Sequence, residues 1–419
     1  MTYALALGID LGTSGVRAAA VRPGGRIVAM AKSPHLPQPN DDIDARLWWQ
    51  AVVTCVNKLG ESLNLQEIDA VAIDGTSGTL VLVDESLEPV TPALMYNSKG
   101  FEAEAERISA FAPDPHVTQG SNSALARALY LHYLDADGRG KHLLHQADYI
   151  LARFAMQNLG SDSNNALKTG CDPETCDWPD WIAETGLPPG LLPCVAPPGT
   201  NVGYIAPEVA NSLGLRPDLA LHLGTTDSIA AHMATGALSL GDAVTSLGTT
   251  MVLKVVSEQR IDAPNYGLYS HRLGNFWLVG GASNTGGGVL LHYFTPTELE
   301  KLSQQIDPMQ DTGLDYYPLI HPGERFPIPD PELTPRLTPQ PNSPSEFLHG
   351  LFEGMARIEA QAYKRLVELG AQAPHKILTV GGGAQNQTWQ AIRRLHIGVP
   401  VEKSETSEAC IGVANLCFS

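Results

Sequence analysis

The chain has 419 residues, with 45 Asp and Glu against 27 Lys and Arg, a formal net charge of -18 and a hydrophobic share of 43%. A domain takes roughly 100–200 residues, so two domains are expected, and the composition is that of a globular chain and not a fibrous or disordered one. An acidic surface repels nucleic acid and anionic membranes, which argues against both as partners; it also repels a nucleotide at long range, so a nucleotide site here must rest on local N–H groups and a metal ion.

The first residues carry no basic n-region and no cleavage pattern, so no signal or transit peptide is expected. No stretch reaches the ~18 apolar residues of a membrane span. The six cysteines (55, 171, 176, 194, 410 and 417) contain no CxxC pair. They read as reduced thiols of a cytoplasmic protein and not as a zinc site. In that compartment the Asn386 sequon carries no weight.

Residues 5–10 (LALGID) are an apolar run ending in an acid, 16–21 a second strand and 26–31 a third, with glycine turns between them, a β-meander. Residues 46–63 have helical apolar spacing through Leu47, Val52, Val56, Leu59 and Leu63, and Trp48-Trp49 reads as helix packing. Strands are expected at 68–74 and 79–83, and helices at 101–111, 123–134 and 146–157. Near Leu219 the pattern begins again: a strand at 219–223, a helix at 227–235, then strands at 242–247 and 251–256 turning on Gly248-Thr249-Thr250. Two hairpins that each turn on Gly-Thr, half the chain apart, indicate two related domains facing one cleft, 1–237 and 238–419. The proline-rich 318–344 reads as an ordered surface excursion. A long amphipathic helix at 347–369, a strand at 376–380, a glycine turn, a helix at 386–395 and a small-residue segment at 408–416 complete the chain.

Four motifs carry chemistry. Asp10-Leu11-Gly12-Thr13-Ser14-Gly15 is a small-residue turn whose N–H groups can nest phosphate oxygens, with Asp10 placed to hold Mg2+; an ordinary turn is the alternative. Ser246-Leu247-Gly248-Thr249-Thr250 could clamp phosphates in the same way. Gly381-Gly382-Gly383-Ala384-Gln385-Asn386, between strand and helix, lets a flat ligand lie on bare backbone, although Asn386 could simply cap the helix. Asp227, in Gly224-Thr225-Thr226-Asp227-Ser228, is placed to take a proton from a hydroxyl or only to cap its helix. Neither the GxGxxG spacing nor a P-loop is present; Gly140-Lys141-His142 lacks the needed Ser or Thr.

Together these motifs resemble the FGGY family of carbohydrate kinases, within the actin-like ATPase superfamily. The resemblance runs over nearly the whole chain. It includes Pro322-Gly323-Glu324-Arg325-Phe326-Pro327, similar to the family's GER-x-P segment, and Phe352-Glu353-Gly354-Met355-Ala356, similar to its acid-glycine helix. It implies an α/β fold of two ribonuclease H-like domains around a central cleft, with ATP and Mg2+ as cofactors and a small sugar as substrate, and a monomer or homodimer. Asp227 matches the catalytic base and Asp10 the metal site. Gly12, Thr13, Ser14, Gly248 and Thr249 match the phosphate hairpins, and Gly382, Gly383 and Asn386 the adenosine turn.

Where xylulose kinases usually show Gln-Met-His-Gly, this chain has Gly75-Thr76-Ser77-Gly78. Where they carry a Trp-x-Asp-x-Arg-type segment, it has Met95-Tyr96-Asn97-Ser98-Lys99-Gly100. Lost polar contacts to hydroxyls cost selectivity, which argues against xylulose. The chain is similar to the short cyanobacterial and plant kinases that resemble xylulose kinases and act on D-ribulose; Ser77 and Ser228 are then the expected sugar contacts. Xylulose or another polyol is the alternative acceptor. A nucleotide-binding sensor on the same fold is the rival of another class, although binding alone needs no base at Asp227.

Overall fold

The computed structural model describes residues 3–35, 43–121 and 123–418. It divides into two compact units: Met1–Gly236 with Ser407–Ser419, and Ala237–Thr406.

The first unit is built on a six-stranded sheet. In spatial order its strands are Arg26–Pro34, Gly15–Arg22, Ala6–Leu11, Ala70–Gly75, Ala220–Thr226 and Asn201–Tyr204. The first three form the expected antiparallel meander, whereas Ala6–Leu11, Ala70–Gly75 and Ala220–Thr226 run parallel. Every residue of Ala6–Leu11 and Ala70–Gly75 is buried, as a parallel strand covered on both faces requires. The Arg46–Gly60 helix covers one face with Trp48, Val52, Cys55, Val56 and Leu59. Its two tryptophans pack edge-on against the Gln146–Ala155 helix, Trp48 on Tyr149 and Trp49 on Phe154.

The second unit repeats the plan. Its sheet runs His271–Leu273, Phe276–Ser283, Met251–Ser257, Asp242–Leu247, Lys376–Val380, Val401–Lys403, antiparallel up to Asp242–Leu247 and parallel beyond it. The long helix Pro344–Glu368 supplies much of its core through Phe347, Leu351, Phe352, Met355 and Leu366.

Late in the chain the helix Ala409–Asn415 returns to the first unit. Glycines make that return possible: a Cβ on Gly8 would overlap the Cys410 carbonyl oxygen, and one on Gly412 the Ala230 carbonyl oxygen. The backbones therefore approach more closely than any side chain allows. The proline-rich segment, in turn, is not a surface excursion throughout. Phe326 and Glu324 are buried within it; Glu324 accepts from Ser283 Oγ, Tyr317 OH and the Asn284 N–H. Among the described residues no helix is long and apolar enough to cross a membrane, and no disulfide joins the six cysteines.

Candidate active site

Parallel neighbours end at the same sheet edge, and that edge of the first unit gathers its predicted site residues. Asp10 pairs in register with Asp74, and Gly75 with Thr226, the residue before Asp227. Asp227 opens the Asp227–Ala234 helix, half-buried, with exposed Ser228 beside it. Ser77 follows Asp74 by three residues, and its Oγ is buried with no protein partner.

Asp74 was missed in the motif reading, although the signal was there. The run AVAID at 70–74 ends in Ile-Asp, as LALGID does at Asp10. Asp74 is wholly buried, and no protein donor reaches either of its oxygens. Burial, then the charges of Asp10 and Asp227, push its carboxyl well above the usual range. Burial also pushes Asp10 up, against the opposing effects of the neighbouring Asp74 carboxyl and of Arg17, whose Nη1 lies 3.4 Å from Asp10 Oδ2. Among the described residues no group of three or more His, Cys, Asp or Glu could hold a metal. A carboxyl pair, one member lacking any donor, still fits Mg2+, which takes one or two carboxylates and fills its other positions with phosphate oxygens and water.

The turn after Asp10 is partly closed on itself: Gly12 N–H donates to Gly15 O, and His35 Nε2 lies 2.8 Å from Gly12 O. Among the described residues no acceptor engages the N–H groups of the exposed Thr13 and Ser14. The loop Gly75-Thr76-Ser77-Gly78 is held by Gln146 and Arg127. Gln146 Oε1 accepts from Thr76 N and Oγ1 at 3.0 and 2.9 Å, and Arg127 Nε donates to Gly78 O. Asn164 Nδ2 ties the segment 161–166 to Thr225 Oγ1.

In the second unit, Gly248, Thr249, Gly382, Gly383 and Asn386 line one cavity of about 570 Å³. Its other wall was not foreseen: Leu290, Leu291, Pro296 and Leu299 come from two short helices, Gly287–Tyr293 and Pro296–Ser303. Gly248 N–H is engaged inside its turn by Thr250 O, while no described acceptor takes the Thr249 N–H. Asn386 caps its helix, Oδ1 accepting from Trp389 N at 2.9 Å, and donates through Nδ2 to Ser303 Oγ. An apolar wall opposite a glycine floor is the shape a flat heteroaromatic ring requires.

Comparison with known proteins agrees with both units. Residues 5–234 match the N-terminal domain of the FGGY family of carbohydrate kinases and residues 243–419 its C-terminal domain. The xylulose kinase of Escherichia coli K12 is 25% identical over 92% of this chain and 83% of its own length. That of Streptomyces coelicolor is 26% identical over 96% and 85%. Among solved structures, the xylulose kinase of Rhodospirillum rubrum superposes with a TM-score of 0.85 at 20% identity, over 98% of this chain and 89% of that one. The Plasmodium falciparum glycerol kinase with ADP superposes with a TM-score of 0.82 at 16% identity, over 98% and 88%. The fold is that of the actin-like sugar kinases, and the chain belongs to the FGGY family of carbohydrate kinases, which phosphorylate sugars with ATP.

Proposed function

We propose that this kinase transfers the γ-phosphoryl group of ATP to the C5 hydroxyl of a neutral pentulose, D-ribulose, giving D-ribulose 5-phosphate. The observation that carries the acceptor class is a set of buried polar atoms without a protein partner: Ser77 Oγ, Gln146 Nε2, Ser163 Oγ, Asn165 Oδ1 and Thr226 Oγ1. They sit on the segments that carry Asp74 and Asp227 and on those that hold them. An unmatched buried donor or acceptor costs about 1–3 kcal/mol, a cost that sugar oxygens relieve. The groups are neutral and the nearby acids negative, so they suit hydroxyl and keto oxygens and disfavour a sugar acid.

In this reading Asp227 accepts the proton as the sugar oxygen bonds to Pγ and the bond from Pγ to ADP breaks. Ser77 and Ser228 contact the sugar. Gly12, Thr13, Ser14, Gly248 and Thr249 hold phosphate oxygens, and Gly382, Gly383 and Asn386 take the adenosine. Asp10, supported by Asp74, would hold Mg2+, which supplies positive charge to the phosphates. The protein's work is positioning and electrostatics, with no covalent intermediate. A cytoplasmic setting without nucleic-acid or membrane partners belongs to the same proposal and is supported by the net charge of -18.

D-Xylulose is the second reading, favoured by the names of the relatives. Against it stands Gly75-Thr76-Ser77-Gly78, which offers no histidine at the loop after Asp74. ADP release measured with Mg-ATP across D-ribulose, L-ribulose, D-xylulose and glycerol decides. Strong stimulation by D-ribulose alone is expected; preference for D-xylulose would keep the mechanism and overturn the acceptor.

A further inference from the structure

One step behind the second unit's cavity lies a buried ion pair that the reaction itself does not use. Arg393 donates through Nε to Glu359 Oε2 at 2.6 Å and through Nη2 to Glu359 Oε1 at 2.7 Å. Both side chains are about 1% exposed. Each partner also reaches one strand: Thr245 Oγ1 donates to Glu359 Oε1 at 2.6 Å, and Arg393 Nη1 donates to Thr379 Oγ1 at 2.8 Å. Thr245 and Thr379 are direct cross-strand partners. Two residues beyond Thr245 the first strand enters Leu247-Gly248-Thr249; two beyond Thr379 the other enters Gly381-Gly382-Gly383. Those are the two turns that floor the cavity. Arg393 shares a helix with Trp389, one turn away, which lines the cavity and stacks on Phe352 of the long helix.

The floor has little tolerance. A Cβ on Gly381 would lie 2.6 Å from Leu247 O, and one on Gly383 2.7 Å from both Leu247 Cβ and Trp389 Cζ3. A shift of a few tenths of an ångström between the two strand ends therefore reshapes the cavity. Stability alone is a weak reason for such a pair, because a buried ion pair can often be replaced by apolar residues at no loss.

We propose that Glu359 and Arg393 are positioning residues for the nucleotide, locking the two glycine turns in register through Thr245 and Thr379. This rests on the reading of the cavity as the nucleotide site.

The test is the double variant Thr245→Val, Thr379→Val, which removes both hydroxyl ties to the pair, and with them the 2.9 Å contact of Thr245 Oγ1 with Tyr363 OH, but keeps the ion pair and the side-chain volume. ADP affinity by calorimetry is expected to weaken about 5- to 10-fold, with a raised KM for ATP and an unchanged KM for the sugar. ADP affinity equal to that of the parent, whatever happens to Tm, would overturn the proposal. If that variant does not fold, Glu359→Met with Arg393→Leu is read by the same criteria. Leu291→Glu in the parent separates the two claims. Loss of ADP binding there upholds the cavity as the nucleotide site; unchanged binding removes that site and the positioning role with it.

Discussion

Asp227 stands at the start of a helix, where its Oδ1 accepts the Ser228 N–H at 2.6 Å. The N-cap position is Thr226 and no side chain caps this helix, so the capping role that the sequence also allowed Asp227 is not the one it holds, and its role as proton acceptor is tested by measurement. Asp227→Ala is expected to lower sugar phosphorylation by about 10²–10⁴-fold, while ADP binding by calorimetry stays at the parent value. Near-normal turnover would remove Asp227 from catalysis. Asp162 offers a second test. It is wholly buried beside Asp148, and burial pushes its carboxyl up to about 7. An acid raised on folding binds more protons in the folded state than in the unfolded one. It therefore costs stability as pH climbs from its unfolded range through 7, and costs nothing further above that. Asp162→Asn removes this contribution. Between pH 4 and 7, Tm of the parent minus Tm of the variant should fall with rising pH; a flat difference would contradict the shift. The sequence showed Asp10 and Asp227 through their glycine turns. Asp74 carries the same Ile-Asp strand end before a glycine turn, but what distinguishes it, the lack of any donor around its carboxyl, shows only in the structure.

Most elements were legible from period and punctuation. The strands at 242–247 and 376–380 appear with the expected bounds, and Ser123 and Asn386 cap their helices. The strand expected at 219–223 instead continues to Thr226, because pairing with the buried Ala70–Gly75 outweighs the turn preference of Gly224-Thr225-Thr226. Phe276–Ser283 was not anticipated: it carries Gly280 and Gly281 in mid-strand, where glycine weakens the strand pattern. There Gly281 makes room for Phe326, whose ring a Cβ would meet at 2.6 Å. The small-residue segment at 409–415 looked unremarkable in sequence, yet its lack of side chains is its function. Gly412→Ala puts a methyl group into the Ala230 carbonyl, and backbone cannot yield as a side-chain tip can. We expect a loss of about 3 kcal/mol or more in denaturant unfolding. Gly382→Ala, where a Cβ meets nothing within 4 Å, is the control and should unfold like the parent.

Both units set an antiparallel meander beside parallel strands, three meander strands in the first unit and four in the second, the first unit's sheet closing on an antiparallel edge strand. One core would not serve 419 residues, and two cores built alike follow from two hairpins with alike turns. Because the C-terminal helix belongs to the first unit, removal of 407–419 should unfold that unit selectively. Truncated protein is expected to lose the first unit's amide protection in hydrogen exchange while the second unit keeps its own; equal protection in both would contradict the division. Composition, hydrophobic period and four glycine-containing turns pointed by themselves to two α/β domains and marked the turns and acids to which the proposal gives phosphate, adenosine and proton transfer. Those are local properties, written in spacing of a few residues. Only the tertiary structure decided that Asp74 lies beside Asp10, that Gln146 holds Thr76 and Asn164 reaches Thr225, that two short helices wall the cavity and that Glu359 meets Arg393. These pairings join residues tens to hundreds of positions apart, and no pattern in a single sequence records which buried polar groups find partners and which are left for a ligand.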